Sequence, residues 1–217
     1  MAITFPSQIQ PLWDELHAEV VWLHWHWCIY CDLFASPPRV DLLNKCASTF
    51  FGVLQGILFD AVQLSVSRLG DPAATGKNRN LTLATLAESL STVTDQHFMT
   101  RLRTLLSAYH AKSEQVRARR NKRIAHSDYQ TLLAGASSGL PGPSGQEIDE
   151  ILVALRHFMN AIAERFGKTE IFYQASTPDA AASALLMMLK AGLRHRDLWN
   201  DDGTWLEDLQ KSPYFSV

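Results

Sequence analysis

Trp13, His17, Val20, His24, Trp27, Cys31 and Phe34 recur at alternating gaps of four and three residues. That period returns each side chain to one side of an α-helix, whereas a strand would scatter the same residues over both faces. It predicts a long helix from about Ser7 to Phe34. Trp22, Trp25 and Ile29 add a second stripe, so the helix should be contacted on more than one side. Pro11 fits only near the first turn. Ser36-Pro37-Pro38 then breaks the chain, and a second long helix should run from about Val40 to Leu69. Its expected apolar stripe is Leu43, Cys46, Phe50, Val53, Ile57, Ala61 and Leu64. So short a connection predicts two antiparallel helices.

The remaining chain continues the helical pattern. Gly70-Asp71-Pro72 ends the second helix, and the polar segment to Asn80 reads as a loop. Leu81 to Leu90 reads as a short helix with Thr82 as N-cap. The next helix starts near Thr94 and passes through Leu102, Leu105, Leu106 and Tyr109. It either bends near His110 or continues into the basic residues beyond. Gly135 to Gly145 has loop composition, as a plain connector or as a flap over a nucleic acid. Gln146 to Phe166 reads as an amphipathic helix, with Ser144 as its cap and Glu147, Asp149 and Glu150 at its positive end. Ile151, Leu155, Phe158, Ile162 and Phe166 form its apolar face. Thr177-Pro178-Asp179 opens a last helix, to about Trp199. An acidic tail from about Asn200 to Val217 carries Trp205, Tyr214 and Phe215, and it either packs on the bundle or competes with a ligand for the basic residues. No run reads as a strand. The expected fold is an all-α bundle forming one domain over 1–217.

Of the 217 residues, 47% are hydrophobic and 19% charged, which places the chain among globular proteins. Three cysteines do not suit a disulfide framework. No leader pattern opens the sequence, and no run reads as apolar for long enough to cross a membrane, so a soluble cytoplasmic protein is expected. The net charge of −2 does not favour a polyanionic partner, but its distribution does. Eight Lys or Arg and one acid lie between Arg101 and His126, four acids and no Lys or Arg precede Arg39, and five acids and no Lys or Arg lie between Asp197 and Asp208. A local basic patch is what phosphate binding needs.

His17, His24, Cys28 and Cys31 share a broad face of the first helix and are all zinc-ligand types. Strung along one helix they span roughly 20 Å, and bonds of ~2 Å to one ion cannot collect them. The reading preferred is a core helix, with cysteines as small apolar residues and histidines satisfied by hydrogen bonds. No metal is expected.

The chemistry concentrates in Arg120-Asn121-Lys122-Arg123-Ile124-Ala125-His126. A histidine near its ordinary pKa of ~6.5 can take or give a proton at neutral pH. An arginine presents a planar fork of donors to phosphate oxygens, and Asn121 can orient phosphate or imidazole. The bland reading is a solvated basic helix end. The run resembles the signature of the HEPN superfamily: an Arg, a polar residue, a short spacer and a His. The aromatic-rich first helix and the sequence Ile-Ala-His-Ser-Asp also resemble the abortive-infection branch. The resemblance implies a HEPN-like helical bundle and a metal-independent endoribonuclease without cofactor, acting as a toxin or phage-defence effector and leaving a cyclic phosphate. His126 would then be general acid or base, Arg120 would bind the scissile phosphate and Asn121 would position it. Arg117, Arg119, Lys122 and Arg123 would hold flanking RNA, and Arg119 or Arg123 could stand in for Arg120. Asp128 either supports His126 or forms a turn. On one continuous helix Arg120 and His126 lie about 120° apart. So either Arg120 reaches round or two copies share the site, and the family pattern implies a homodimer with the motif at or near the interface. An antitoxin protein is a further implied partner. The alternatives are a non-catalytic nucleic-acid or nucleotide-binding module, and a structural dimerisation protein.

Overall fold

The computed structural model describes residues 5–119, 142–167, 169–174 and 182–198. Among these, six helices carry the fold: α1 (Gln10–Phe34), α2 (Pro37–Leu69), α3 (Leu83–Leu90), α4 (Gln96–Arg119), α5 (Gly145–Gly167) and α6 (Ala182–Leu198). The all-α expectation holds, with one small departure. Ala74–Thr75 (β1) and Asn78–Arg79 (β2) pair antiparallel in a tight hairpin within the segment expected to be loop. Gly76, at φ +60°, supplies the left-handed turn that other residues resist. Strands two residues long leave no alternation to read. Asn80 ties the hairpin shut, its side-chain amide donating to Pro72 O and Thr75 Oγ1 at 2.8 Å each.

The helix starts follow the expected chemistry. Thr82 caps α3, its hydroxyl accepting from Thr85 N at 3.2 Å. Ser144 and Glu147 form a reciprocal capping box on α5: Glu147 N donates to Ser144 Oγ, and Ser144 N donates to the Glu147 carboxylate. Asp95 caps α4 by accepting from Phe98 N at 2.9 Å. The proposed opening of α6 at Thr177-Pro178-Asp179, the expected loop except its last residues, and the tail lie outside the described residues.

Chain contacts divide the protein into two compact units, one of residues 1–27 and 58–175, the other of residues 28–57 and 176–217. The first unit holds a dense core. Trp13, Leu16, Val20, Leu23 and Trp27 of α1 are buried at gaps of three and four. Leu16 and Leu23 complete this stripe, with His24 buried beside Leu23 and His17 only half-buried. Ile151, Leu155, Phe158 and Ile162 of α5 are all buried, as their spacing requires, and Phe166 at half-burial stacks on Phe5. Trp27 Nε1 donates to Asp149 Oδ1 at 2.7 Å, joining α1 to the first turn of α5. Arg68, near the end of α2, lies 3.8 Å from Glu19 of α1.

In the second unit the chain turns at Ala35 and Ser36, and α2 returns beside α1. Arg39 Nη1 donates to Asp32 O at 2.7 Å, and Gln55 reaches the Tyr30 hydroxyl at 3.5 Å. The expected apolar stripe of α2 is corrected here. Leu43 is buried, but Phe50, Val53 and Ile57 are 62%, 58% and 60% exposed, and Phe51 is buried instead. The cause is Ala47, whose non-helical backbone interrupts α2 and shifts the phase of everything after it. Beyond residue 57, in the first unit, the buried apolar positions are Val62, Val66 and Leu69, with Gln63 and Ser67 buried beside them, while Leu64 is exposed. The sequence reading of apolar runs needs a second correction. By length and composition α2 could cross a membrane, and only 22% of its apolar window is buried.

Tyr109, fully buried on α4, donates its hydroxyl hydrogen to Val66 O of α2 at 2.6 Å. Tyr109→Phe removes this bond without changing the packing volume. Chemical denaturation should show a loss of about 1 kcal/mol at unchanged helix content, and an unaltered midpoint would mean that the bond contributes nothing net.

Candidate nucleic-acid interface

α4 delivers the chain to the motif. It passes His110 without a break and remains helical to Arg119. Of the sequence-derived site residues, the described part includes Arg117 and Arg119, both half-buried in its last turn. Arg120, Asn121, Lys122, Arg123, His126 and Asp128 lie outside the described residues.

Two positions along a helix turn a side chain by about 200°, so Arg117 and Arg119 occupy nearly opposite sides. The structure separates what the sequence offered as one cluster. The Arg117 stem lies over Gly70: a Cβ there would sit 3.3 Å from Tyr109 Cε1 and 3.5 Å from Arg117 Cδ. Arg119 instead reaches the segment leading into α5, where a Cβ on Gly142 would collide with Arg119 Nη1. Arg119 Nε, Arg117 Nε and His110 Nε2 are shielded from solvent, and none has a hydrogen-bond partner among the described residues. Burial lowers the His110 pKa, and the Arg117 guanidinium lowers it further, so His110 is neutral near pH 7.

The cations on the opposite side of α4 are matched by acids of α5. Arg101 pairs with Glu164 at 3.4 Å and Lys112 with Glu150 at 2.8 Å. A cleft of about 490 Å³ opens on this side, lined by Arg101, His157, Asn160, Glu164, Thr169 and Glu170 among others. Its acids offset its bases, so it presents no net positive field to phosphate. Asn160 also spends its amide on the backbone, accepting from Ile171 N at 2.9 Å and donating to Ile171 O at 3.2 Å.

That clamp places Tyr173 against α1, in a polar cluster that takes in His17 and His24; His26 stands apart from it, its buried Nδ1 without a hydrogen-bond partner among the described residues. His24 is 2% exposed. Its Nδ1 lies 2.8 Å from Val20 O, which can only accept, so Nδ1 carries the proton. Nε2 is then the acceptor facing Arg156 Nη1 at 3.3 Å. His17 Nδ1 lies 3.0 Å from the Tyr173 hydroxyl, and the Tyr173 ring stacks on His24 at 5.3 Å. These histidines are satisfied core residues, as the sequence reading preferred. No disulfide links Cys28, Cys31 and Cys46, all half-buried. Among the described residues no group of three His, Cys, Asp or Glu is placed to hold a metal ion.

Burial lowers the His24 pKa to about 4, and the Arg156 charge opposes protonation as well. An unfolded His24 would titrate near 6.5, so between the two values the unfolded chain binds the extra proton. Stability from this group is complete above about pH 6.5 and falls as pH drops towards 4, by on the order of 3 kcal/mol in total. Urea titrations at several pH values should show that decline, and His24→Gln should flatten it; an equal pH slope in both proteins would exclude His24 as the cause.

The HEPN_AbiU2 family, described as AbiU2, matches residues 7–183. No curated protein and no solved structure matches the chain. The match takes in the aromatic first helix, the buried bundle and the whole basic run from α4 through His126 and Asp128. With more than half of its length covered, the chain belongs to the HEPN_AbiU2 family of abortive-infection HEPN proteins.

Proposed function

We propose that the protein is a metal-independent endoribonuclease that acts in abortive infection as a toxin or phage-defence effector. The observation carrying this reading is the run Arg120-Asn121 through His126, directly following a basic helix in a chain of this family. In the reaction a general base removes the proton of a ribose 2′-hydroxyl, and the oxygen attacks the adjacent phosphorus. The bond from phosphorus to the 5′-oxygen breaks, and a general acid returns a proton to that oxygen. The products are a 2′,3′-cyclic phosphate and a 5′-hydroxyl. His126 acts as base or acid, Arg120 stabilises the charge growing on the phosphate, and Asn121 positions it. Arg117, Arg119, Lys122 and Arg123 hold flanking RNA, and Asp128 orients the imidazole.

Two copies complete the site in this proposal. A two-fold contact brings one motif opposite the other, so that the His126 of each copy can take one of the two proton-transfer roles. Isologous pairing is the commonest route to a dimer. An antitoxin would hold the enzyme inactive until it is needed, and the protein acts in the cytoplasm, where its RNA is.

RNA cleavage in EDTA tests the reading, with wild type and His126→Ala compared at equal helix content and equal oligomeric state. Loss of the acid–base group should slow cleavage by about 10²–10⁴-fold, and wild-type products should end in a cyclic phosphate. Equal cleavage by both proteins would reveal a contaminating nuclease. Salt-sensitive binding with no cleavage by either would establish a binding module instead.

A further inference from the structure

α4 carries a repeat that the motif does not explain. Leu102, Tyr109 and Val116 are buried at 0%, 0% and 1% exposure, seven residues apart. An arginine or a histidine follows each: Arg103, His110 and Arg117. Seven residues make nearly two helical turns, so these three stay within about 20° of one another per step and form a stripe ~21 Å long. Arg101 and Lys112, on the other side, are paired with Glu164 and Glu150. Arg103 and Arg117 have no ion pair among the described residues. His110 Nε2 and Arg117 Nε are shielded atoms without a hydrogen-bond partner there. Glu114, exposed on the flank of the stripe, is its one acid on α4.

The stripe ends in a cleft. Arg103 stands at one side of a cavity of about 230 Å³ between α3 and α4, with Ala84, Ala87, Met99 and Leu106 giving it apolar walls and Ser91 a hydroxyl. Glu88 also borders it, but its carboxylate pairs with Arg79 at 3.3 Å. An apolar slot beside an unpaired arginine suits a nucleobase with its phosphate outside. Only an unstacked base can enter such a slot, as in single-stranded RNA recognition.

We infer that Arg117, His110 and Arg103 form a track along α4 that binds the backbone of single-stranded RNA and leads one unstacked base into the cleft between α3 and α4. The inference rests on the ribonuclease reading for its substrate class and extends it to a surface well before the motif. Arg117 and Arg103 bind phosphates through charge. His110, half-buried, lies between them on the same stripe.

The test is fluorescence anisotropy of the full chain, carrying His126→Ala to prevent cleavage, with an unstructured labelled RNA of about 16 nucleotides. Arg103→Glu and Arg117→Glu should each weaken binding about five- to tenfold at moderate salt. Each should also lower the slope of log affinity against log salt by about 0.7. Leu106→Trp, filling the cleft, should weaken the single strand and leave the already weaker binding of the same sequence as a duplex unchanged. Lys190→Glu on α6 makes the same change in net charge and serves as the control. Circular dichroism establishes that each variant folds, and Arg103→Gln and Arg117→Gln repeat the test without an added acid. Unchanged affinity in the arginine variants, an equal loss in Lys190→Glu, duplex bound as tightly as single strand, or no RNA binding at all would each overturn the track. RNA bound along the track by a wild type that cleaves nothing would overturn the ribonuclease reading alone. Cleaving wild type with insensitive arginine variants would overturn the track alone.

Discussion

The rotation of α4 about its own axis is the constraint on which the basic surface depends. Leu102, Tyr109 and Val116 must all be buried, and burying side chains of this size contributes ~1.5–3 kcal/mol each for the aliphatic ones. The Tyr109 hydroxyl adds a directional requirement, because it must meet the Val66 carbonyl. Once those three positions point inward, Arg103, His110 and Arg117 are set about 100° away. Turning the helix by one residue would drive two guanidinium groups into the core without partners, at a cost far larger than the packing could offset. The apolar stripe therefore fixes the basic one.

α5 supplies the complementary half of this arrangement. Its buried face holds the bundle through Ile151, Leu155, Phe158 and Ile162, and its exposed acids Glu150 and Glu164 meet Lys112 and Arg101. Exposed pairs of this kind stabilise a fold little. Their consequence is electrostatic: they offset Arg101 and Lys112 on one side of α4, while Arg103 and Arg117 on the other have no ion pair among the described residues. A pair of the opposite sense joins the same helices, Arg165 of α5 lying 3.2 Å from Asp95, the cap of α4. The acids of α5 thus sort the cations of α4 into those that lace helices together and those left for a ligand.

Most of the helical framework was legible in the sequence because its signals are local. Thr82 and Ser144 announced helix starts by the chemistry of capping, and the apolar period of α5 survived intact from sequence to structure. α2 departs from its expected stripe for a definite reason. Its apolar residues ring the helix, so periodicity permits two stripes, and the backbone break at Ala47 selects the one containing Phe51. A dihedral angle at one alanine leaves no trace in composition. The hairpin at 74–79 was too short to show alternation. The pairing of Leu102 with Arg103, Tyr109 with His110 and Val116 with Arg117 was present in the sequence, but its meaning needed to be known together with which cations α5 neutralises. Of the two courses open to the chain at His110, a bend or a continuous helix, the structure takes the second as far as Arg119.

The arginines at the end of α4 show why a basic run is not yet a binding site. Arg117 and Arg119 are two residues apart in the sequence and nearly opposite on the helix. Arg117 lies across Gly70, next to Tyr109, while Arg119 meets Gly142 at the approach to α5. One phosphate cannot engage both from the same side. The packing of α4 against α5 thus decides which of the described cations on α4 are ion-paired.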